Sequence, residues 1–141
     1  VIVIMTDGAS KGNPGPASIG VIVWERMSGQ NQRIVRPTHR IKKEIGIKTN
    51  NEAEWAAFIE GLRCALQITT SNNVKDDVYI YTDSLLVASQ FNGEWKAKNK
   101  VMRECLVAAT VIAKHLYKVV VAWVPRQLVY LADKEASKAN G

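Results

Sequence analysis

The apolar positions of this 141-residue chain follow two periods, one of strands and one of helices. Residues 1–6 open with an almost unbroken apolar run, the pattern of a central strand covered on both faces. Residues 7–15, Asp-Gly-Ala-Ser-Lys-Gly-Asn-Pro-Gly, are dense in turn formers and predict a loop. Residues 17–27 and 31–45 read as two further strands, joined by a hairpin turn at Ser28-Gly29-Gln30-Asn31. Short connections make these three strands antiparallel. Over residues 51–68 the period changes, and Ala53, Ala56, Ala57, Ile59, Leu62, Cys64, Ala65, Leu66 and Ile68 give a helical apolar stripe. Thr49-Asn50-Asn51 supplies capping side chains, with Glu52 and Glu54 in the first turn. Residues 78–82 form a fourth strand. A helix begins near Ser84 and is broken at Asn92-Gly93, and a second helical run covers 99–116. Residues 119–124 are a last strand, stopped by Pro125 and followed by a short helix over 131–139. The order is βββαβααβα. Helical crossovers make the last two strands parallel to their neighbours. The expectation is a single α/β domain over residues 1–141: a mixed five-stranded sheet, three antiparallel strands then two parallel, with helices on both faces.

Charge adds a partner to this picture. Lys and Arg exceed Asp and Glu by 19 to 13, for a net charge of +6. Such an excess favours a polyanion such as nucleic acid. No apolar run approaches the ~20 residues of a membrane span. Cys64 and Cys105 sit in helical patterns with no CxxC spacing, so they read as free thiols in a reducing compartment. No signal peptide is visible in these residues, and a cytoplasmic location is expected.

Within this basic chain, four acidic residues occupy element ends. Thr6-Asp7 and Thr82-Asp83 each follow an apolar strand, while Glu54 and Asp133 lie in first turns of helices. Each alone is explained by capping or by the helix dipole. Gathered at one sheet edge, they would repel unless protonated or bridged by a cation.

These residues also carry a family resemblance. Thr6-Asp7-Gly8-Ala9-Ser10 with Gly12-Asn13-Pro14-Gly15-Pro16, then Thr49-Asn50-Asn51-Glu52-Ala53-Glu54, Thr82-Asp83-Ser84 and Ala132-Asp133 resemble, in order, the four motifs of type 1 ribonuclease H. The resemblance covers essentially the whole chain and implies the ribonuclease H-like fold. It implies hydrolysis of the RNA strand of an RNA–DNA hybrid, leaving 5′-phosphate and 3′-hydroxyl ends. Two Mg²⁺ ions, with Mn²⁺ as substitute, would be held by Asp7, Glu54, Asp83 and Asp133, since hard cations prefer carboxylate oxygens. Gly8, Ala9 and Ser10 would approach the minor groove, where 2′-hydroxyls identify RNA. Asn13, Asn50 and Asn51 match positions that hydrogen-bond the two strands, Thr49 one that helps hold a DNA phosphate, and Ser84 lies in the third motif.

The chain also departs from the family pattern. Many members carry a His in the loop after the last strand; here Val124-Pro125-Arg126-Gln127 has none. Val-Pro-Arg resembles the archaeal-like branch and makes Arg126 the candidate contact to the scissile phosphate. The role is electrostatic, because Arg cannot act as a base. The basic protrusion of some members is absent, as in archaeal-like and retroelement forms. In its place Trp95, Lys96, Lys98 and Lys100 could stack and pair with the DNA strand. Gln127-Leu128-Val129-Tyr130-Leu131 is unusually apolar next to Asp133. It leaves three roles open: tighter packing of the last helix, substrate contact, or a subunit contact in an otherwise monomeric protein. Double-stranded RNA is a further candidate substrate. An exonuclease or junction resolvase on the same fold, and a binding domain without catalysis, are the competing readings.

Overall fold

The computed structural model describes residues 1–25 and 37–131. The strands are β1 (Ile2–Ser10), β2 (Gly15–Glu25), β3 (His39–Lys48), β4 (Asp77–Thr82) and β5 (Lys118–Trp123). The helices are α1 (Asn50–Asn72), α2 (Leu85–Phe91) and α3 (Lys100–Ala113). A further helical segment spans 126–131. The five strands form one sheet in the order β3-β2-β1-β4-β5. Pairing is antiparallel between β1 and β2 and between β2 and β3. It is parallel between β1 and β4 and between β4 and β5.

The two faces of the sheet differ. Ile2, Ile4 and Thr6 of β1 alternate with half-buried neighbours, and their register partners Val21, Val23, Val78 and Ile80 are fully buried on the same face. This face meets Trp55, Phe58 and Leu62 of α1, none of them exposed to solvent. Each such side chain contributes roughly 1.5–3 kcal/mol by leaving water. α3 packs on α1, and α2 lies against β5. The opposite face meets the 126–131 segment, where buried Val129 shares a cleft with Met5 and Ile22.

α1 starts where a capping box closes. Glu52 N–H donates to Thr49 Oγ1 at 3.1 Å, and Thr49 N–H donates to Glu52 Oε1 at 2.8 Å. It ends at Asn73, whose left-handed backbone (φ 51°) turns its N–H back onto the Thr69 and Thr70 carbonyls. Cys64 and Cys105 are free, and burial raises both thiols, which leaves them poor nucleophiles.

Several boundaries differ from those the sequence predicts. β1 continues through Asp7-Gly8-Ala9-Ser10, paired with Gly20 to Ala17, where a loop is expected. The neighbouring strand supplies a ladder that outweighs the weak strand propensity of Gly and Ser. β2 begins at Gly15 rather than 17. α1 runs to Asn72, past the polar residues from Thr69. His115 lies in a turn after α3 rather than inside a helix. The last helix starts at Arg126, directly after Pro125, and not near 131. Pro125 stands just before it, and its carbonyl accepts from Leu128 N–H at 3.0 Å, which closes the first turn. The turn expected at 28–31 and the helix beyond 131 lie outside the described residues.

Candidate active site

The register of β1 and β4 sets the site. Their last parallel pair is Thr6↔Thr82, so Asp7 and Asp83 leave the paired region side by side. Glu54 arrives from α1, and Gly8 lets it. A Cβ built on Gly8 would lie 2.1 Å from the Ala53 carbonyl oxygen, so only glycine allows α1 this close to β1. Gly8 N–H donates to Glu54 Oε1 at 3.2 Å and fixes the carboxylate over the strand. One carboxylate oxygen from each of Asp7, Glu54 and Asp83 lies within 4.8 Å of the other two.

The electrostatics are those of a self-repelling cluster. Glu54 is 8% exposed, and its carboxyl is pushed up to about 9, first by burial and then by the charges of Asp83 and Asp7. Among the described residues, Glu54 Oε2 and Asp83 Oδ1 are buried with no hydrogen-bond donor beyond a proton that the two carboxyls share. Buried acceptors without donors cost free energy unless a proton or cation occupies the space between them. An all-oxygen, anionic donor set of this kind suits a hard divalent cation such as Mg²⁺ or Mn²⁺. Asp133, the fourth acidic candidate, lies outside the described residues.

The remaining candidates fall into three groups. Ser10 N–H donates to Asn50 Oδ1 at 3.3 Å, and Asn50 N–H donates to Asn13 Oδ1 at 2.9 Å. These bonds tie the β1–β2 turn and Ala9-Ser10 to the start of α1, beside the carboxylates. Thr49 and Ser84 are the N-caps of α1 and α2, so their hydroxyls already accept backbone N–H groups. Trp95, Lys96 and Lys98 line a second cleft of about 650 Å³ together with Asn51 and Asn99. Arg126 and Asp7 line the first, the cleft of about 410 Å³ beside Val129 on the other face of the sheet. In the 128–131 run only Val129 is buried, while Leu128, Tyr130 and Leu131 are exposed.

Two supporting residues are missed by sequence reasoning. Gln90, buried on α2, accepts from the Trp55 indole at 3.1 Å and donates to the Lys96 carbonyl at 3.3 Å. It joins α1 to the Trp95 cleft, and a lone Gln in a helix carries no signal of that. Trp123 donates from Nε1 to the Asp83 carbonyl at 3.0 Å. An aromatic residue at the last position of the last strand was the visible hint.

A sheet of this topology, with carboxylates gathered where β1 and β4 part, defines the ribonuclease H-like class of folds. Comparison with known proteins narrows the class. A family model described as RNase H matches residues 1–136. Bifunctional protein Rv2228c of Mycobacterium tuberculosis is 33% identical over 138 residues, 98% of this chain and 35% of that protein. Its N-terminal RNase H domain, solved as a fusion with maltose binding protein, superposes with a TM-score of 0.79 over 98% of this chain and 91% of that one. Ribonuclease HI of Halobacterium salinarum is 33% identical over 133 residues, 94% of this chain and 61% of that protein. LC11-RNase H1, solved in complex with an RNA/DNA hybrid, is 31% identical, with a TM-score of 0.80 and full coverage of both chains. The chain belongs to the RNase H family. It spans about a third of the length of the first curated relatives it matches.

Proposed function

We propose that residues 1–141 form one catalytic domain, an endoribonuclease that hydrolyses the RNA strand of RNA–DNA hybrids and leaves 5′-phosphate and 3′-hydroxyl ends. The observation that carries this reading is the convergence of Asp7, Glu54 and Asp83 within 4.8 Å, with two buried oxygens that lack a donor among the described residues, on an RNase H fold. Asp7, Glu54, Asp83 and Asp133 would hold two divalent cations. Bound there, these would stabilise charge developing on the phosphate and acidify the attacking water.

The chain's own groups position the substrate. Gly8, Ala9 and Ser10, with Asn13 and Asn50, present backbone and amide groups beside the carboxylates, suited to reading ribose hydroxyls in a shallow minor groove. Asn51, Trp95, Lys96 and Lys98 line a cleft suited to the DNA strand, through stacking and phosphate pairing. Thr49 and Ser84 act mainly by capping the helices that carry Glu54 and follow Asp83. Arg126, in the cleft that contains Asp7, supplies positive charge near the scissile phosphate. The domain acts as a monomer on hybrid. Among the described residues no helix is long and apolar enough to cross a membrane.

A labelled hybrid, matched single-stranded RNA, double-stranded RNA and duplex DNA, each with Mg²⁺ or Mn²⁺, test the proposal. Metal-dependent cleavage confined to RNA in the hybrid is expected, and Asp7→Asn should abolish it while hybrid binding persists. Cleavage of duplex DNA, or activity unchanged in Asp7→Asn, would refute it. Cutting of double-stranded RNA as well would widen the substrate range without moving the site.

A further inference from the structure

Asp83 sits in a short link between two elements, and its neighbours are well held. The Thr82 carbonyl, at the end of β4, accepts from Val124 N–H at 2.9 Å. Ser84 N–H donates to Thr82 Oγ1 at 3.0 Å, and Ser84 Oγ accepts from Val87 N–H at 3.1 Å as the cap of α2. The Asp83 carbonyl belongs to neither the sheet ladder nor the helix. It accepts from the Trp123 indole at 3.0 Å.

Burial does not account for a tryptophan at position 123. The residue is 49% exposed, whereas Trp55 in the core is fully buried. A phenylalanine or valine could cover the same strand end, but neither has a donor. The indole N–H is therefore the chemically distinctive part of Trp123, and its target is the peptide unit that orients Asp83. The Asp83 carboxylate in turn offers to the cluster a buried Oδ1 that has no donor among the described residues. A ligand held at its backbone keeps its side chain within a narrower range of positions, which raises affinity for whatever the cluster binds.

We propose that Trp123 is a positioning residue, whose indole N–H holds the Asp83 peptide so that the carboxylate is aligned for a divalent cation shared with Asp7 and Glu54. This deepens the metal reading above and rests on it. Direct cation binding tests it without any assay of cleavage. Mn²⁺ titrated calorimetrically into metal-free Trp123→Phe should bind about fivefold more weakly than to the native chain, the worth of one net hydrogen bond. The melting temperature should fall by no more than about 3 °C, the worth of that one bond, because the ring is kept and half of it is already in solvent. Affinity within twofold of the native value would overturn the proposal, as would a loss of stability with unchanged affinity. If Trp123→Phe does not fold, the indole N–H resonances of the native chain decide. The Trp123 signal should shift in step with Mg²⁺ occupancy, and that of Trp24, at the far end of β2, should not. A Trp123 signal that stays still through saturation would overturn it. If the native chain binds no divalent cation, the metal reading fails together with this one. Unchanged binding in Trp123→Phe removes only the role of the indole.

Discussion

The cluster predicts an inverted pH dependence of stability that can be read without substrate. In the metal-free fold Glu54 holds its proton to about pH 9, against 4.5 for an ordinary glutamate. Between those values the native state binds more protons than the unfolded chain, so ionisation of Glu54 favours unfolding and stability falls as pH rises. Its favourable contribution is complete below about pH 4.5 and gone above about 9. Each pH unit in that window is worth at most about 1.4 kcal/mol. Between pH 5 and pH 8 the ceiling is roughly 4 kcal/mol, and water at the open side of the cluster, where Asp7 and Asp83 are only half buried, brings it to about 2 kcal/mol. Glu54→Gln removes the titration. It keeps an acceptor for Gly8 N–H and places an amide donor toward the charges of Asp83 and Asp7. Thermal unfolding in EDTA at pH 5, 6.5, 8 and 9 should show the variant gaining on the native chain as pH rises. At pH 8 it should melt roughly 6 °C higher, taking about 3 °C per kcal/mol for a domain of this size. Saturating Mg²⁺ should reverse the ranking, because the native cluster gains binding energy that the amide loses. Parallel curves for the two proteins, with no widening toward pH 9, would refute the argument that the fold buries a carboxyl among like charges.

Three further outcomes follow from other parts of the site. Gly8→Ala puts a methyl group 2.1 Å from the Ala53 carbonyl. The clash is with backbone and cannot rotate away, so a loss of about 3 kcal/mol and of most hybrid cleavage is expected; denaturant unfolding that leaves the midpoint unchanged would show that α1 does not press on β1. Replacing Lys96, Lys98 and Lys100 by Gln should weaken hybrid binding and lower the salt slope by up to about one unit for each phosphate that is no longer neutralised. Equal slopes by fluorescence anisotropy would remove these lysines from the interface. Arg126→Ala should lower kcat by about tenfold or more while KM changes little, as for a charge that acts mainly on the transition state. Full activity in steady-state cleavage would discard Arg126 as a catalytic group.

What could be read from the sequence, and what could not, divides by the range of the interaction. The repeated Thr-Asp was legible because β1 and β4 pair in parallel, so equal sequence positions become equal heights in the sheet: Thr6 faces Thr82. Only one of the two Thr-Asp pairs marks a strand end. β4 stops at Thr82, but β1 runs three residues past Asp7, because its other neighbour, β2, pairs as far as Ser10. A strand with different partners on its two edges has two ends, and local propensity sees neither. Asp-Gly-Ala-Ser reads as a turn on composition and is a strand by tertiary pairing. Similarly, Pro125 was legible as a stop but not as a start, since the apolar run from Leu128 to Leu131 hides the helical period that would have placed the helix.

Glu54 marks the limit of local reading most clearly. From its place in the sequence it is an acidic residue near a helix start, and the dipole would be sufficient reason for it. In the fold that work belongs to Glu52, which closes the capping box with Thr49 and whose carboxyl is pulled down by the bonds it accepts there. Glu54, two residues further along, is turned inward, buried, and pushed in the opposite direction. Two glutamates in one turn are thus driven apart in proton affinity by the close approach of Gly8 and Ala53, residues 45 positions apart. The family motif points to the glutamate that the fold turns inward, without giving the cause. The cause is a missing Cβ on the neighbouring strand, which lets the helix come close enough to bring a third carboxylate to two that already repel.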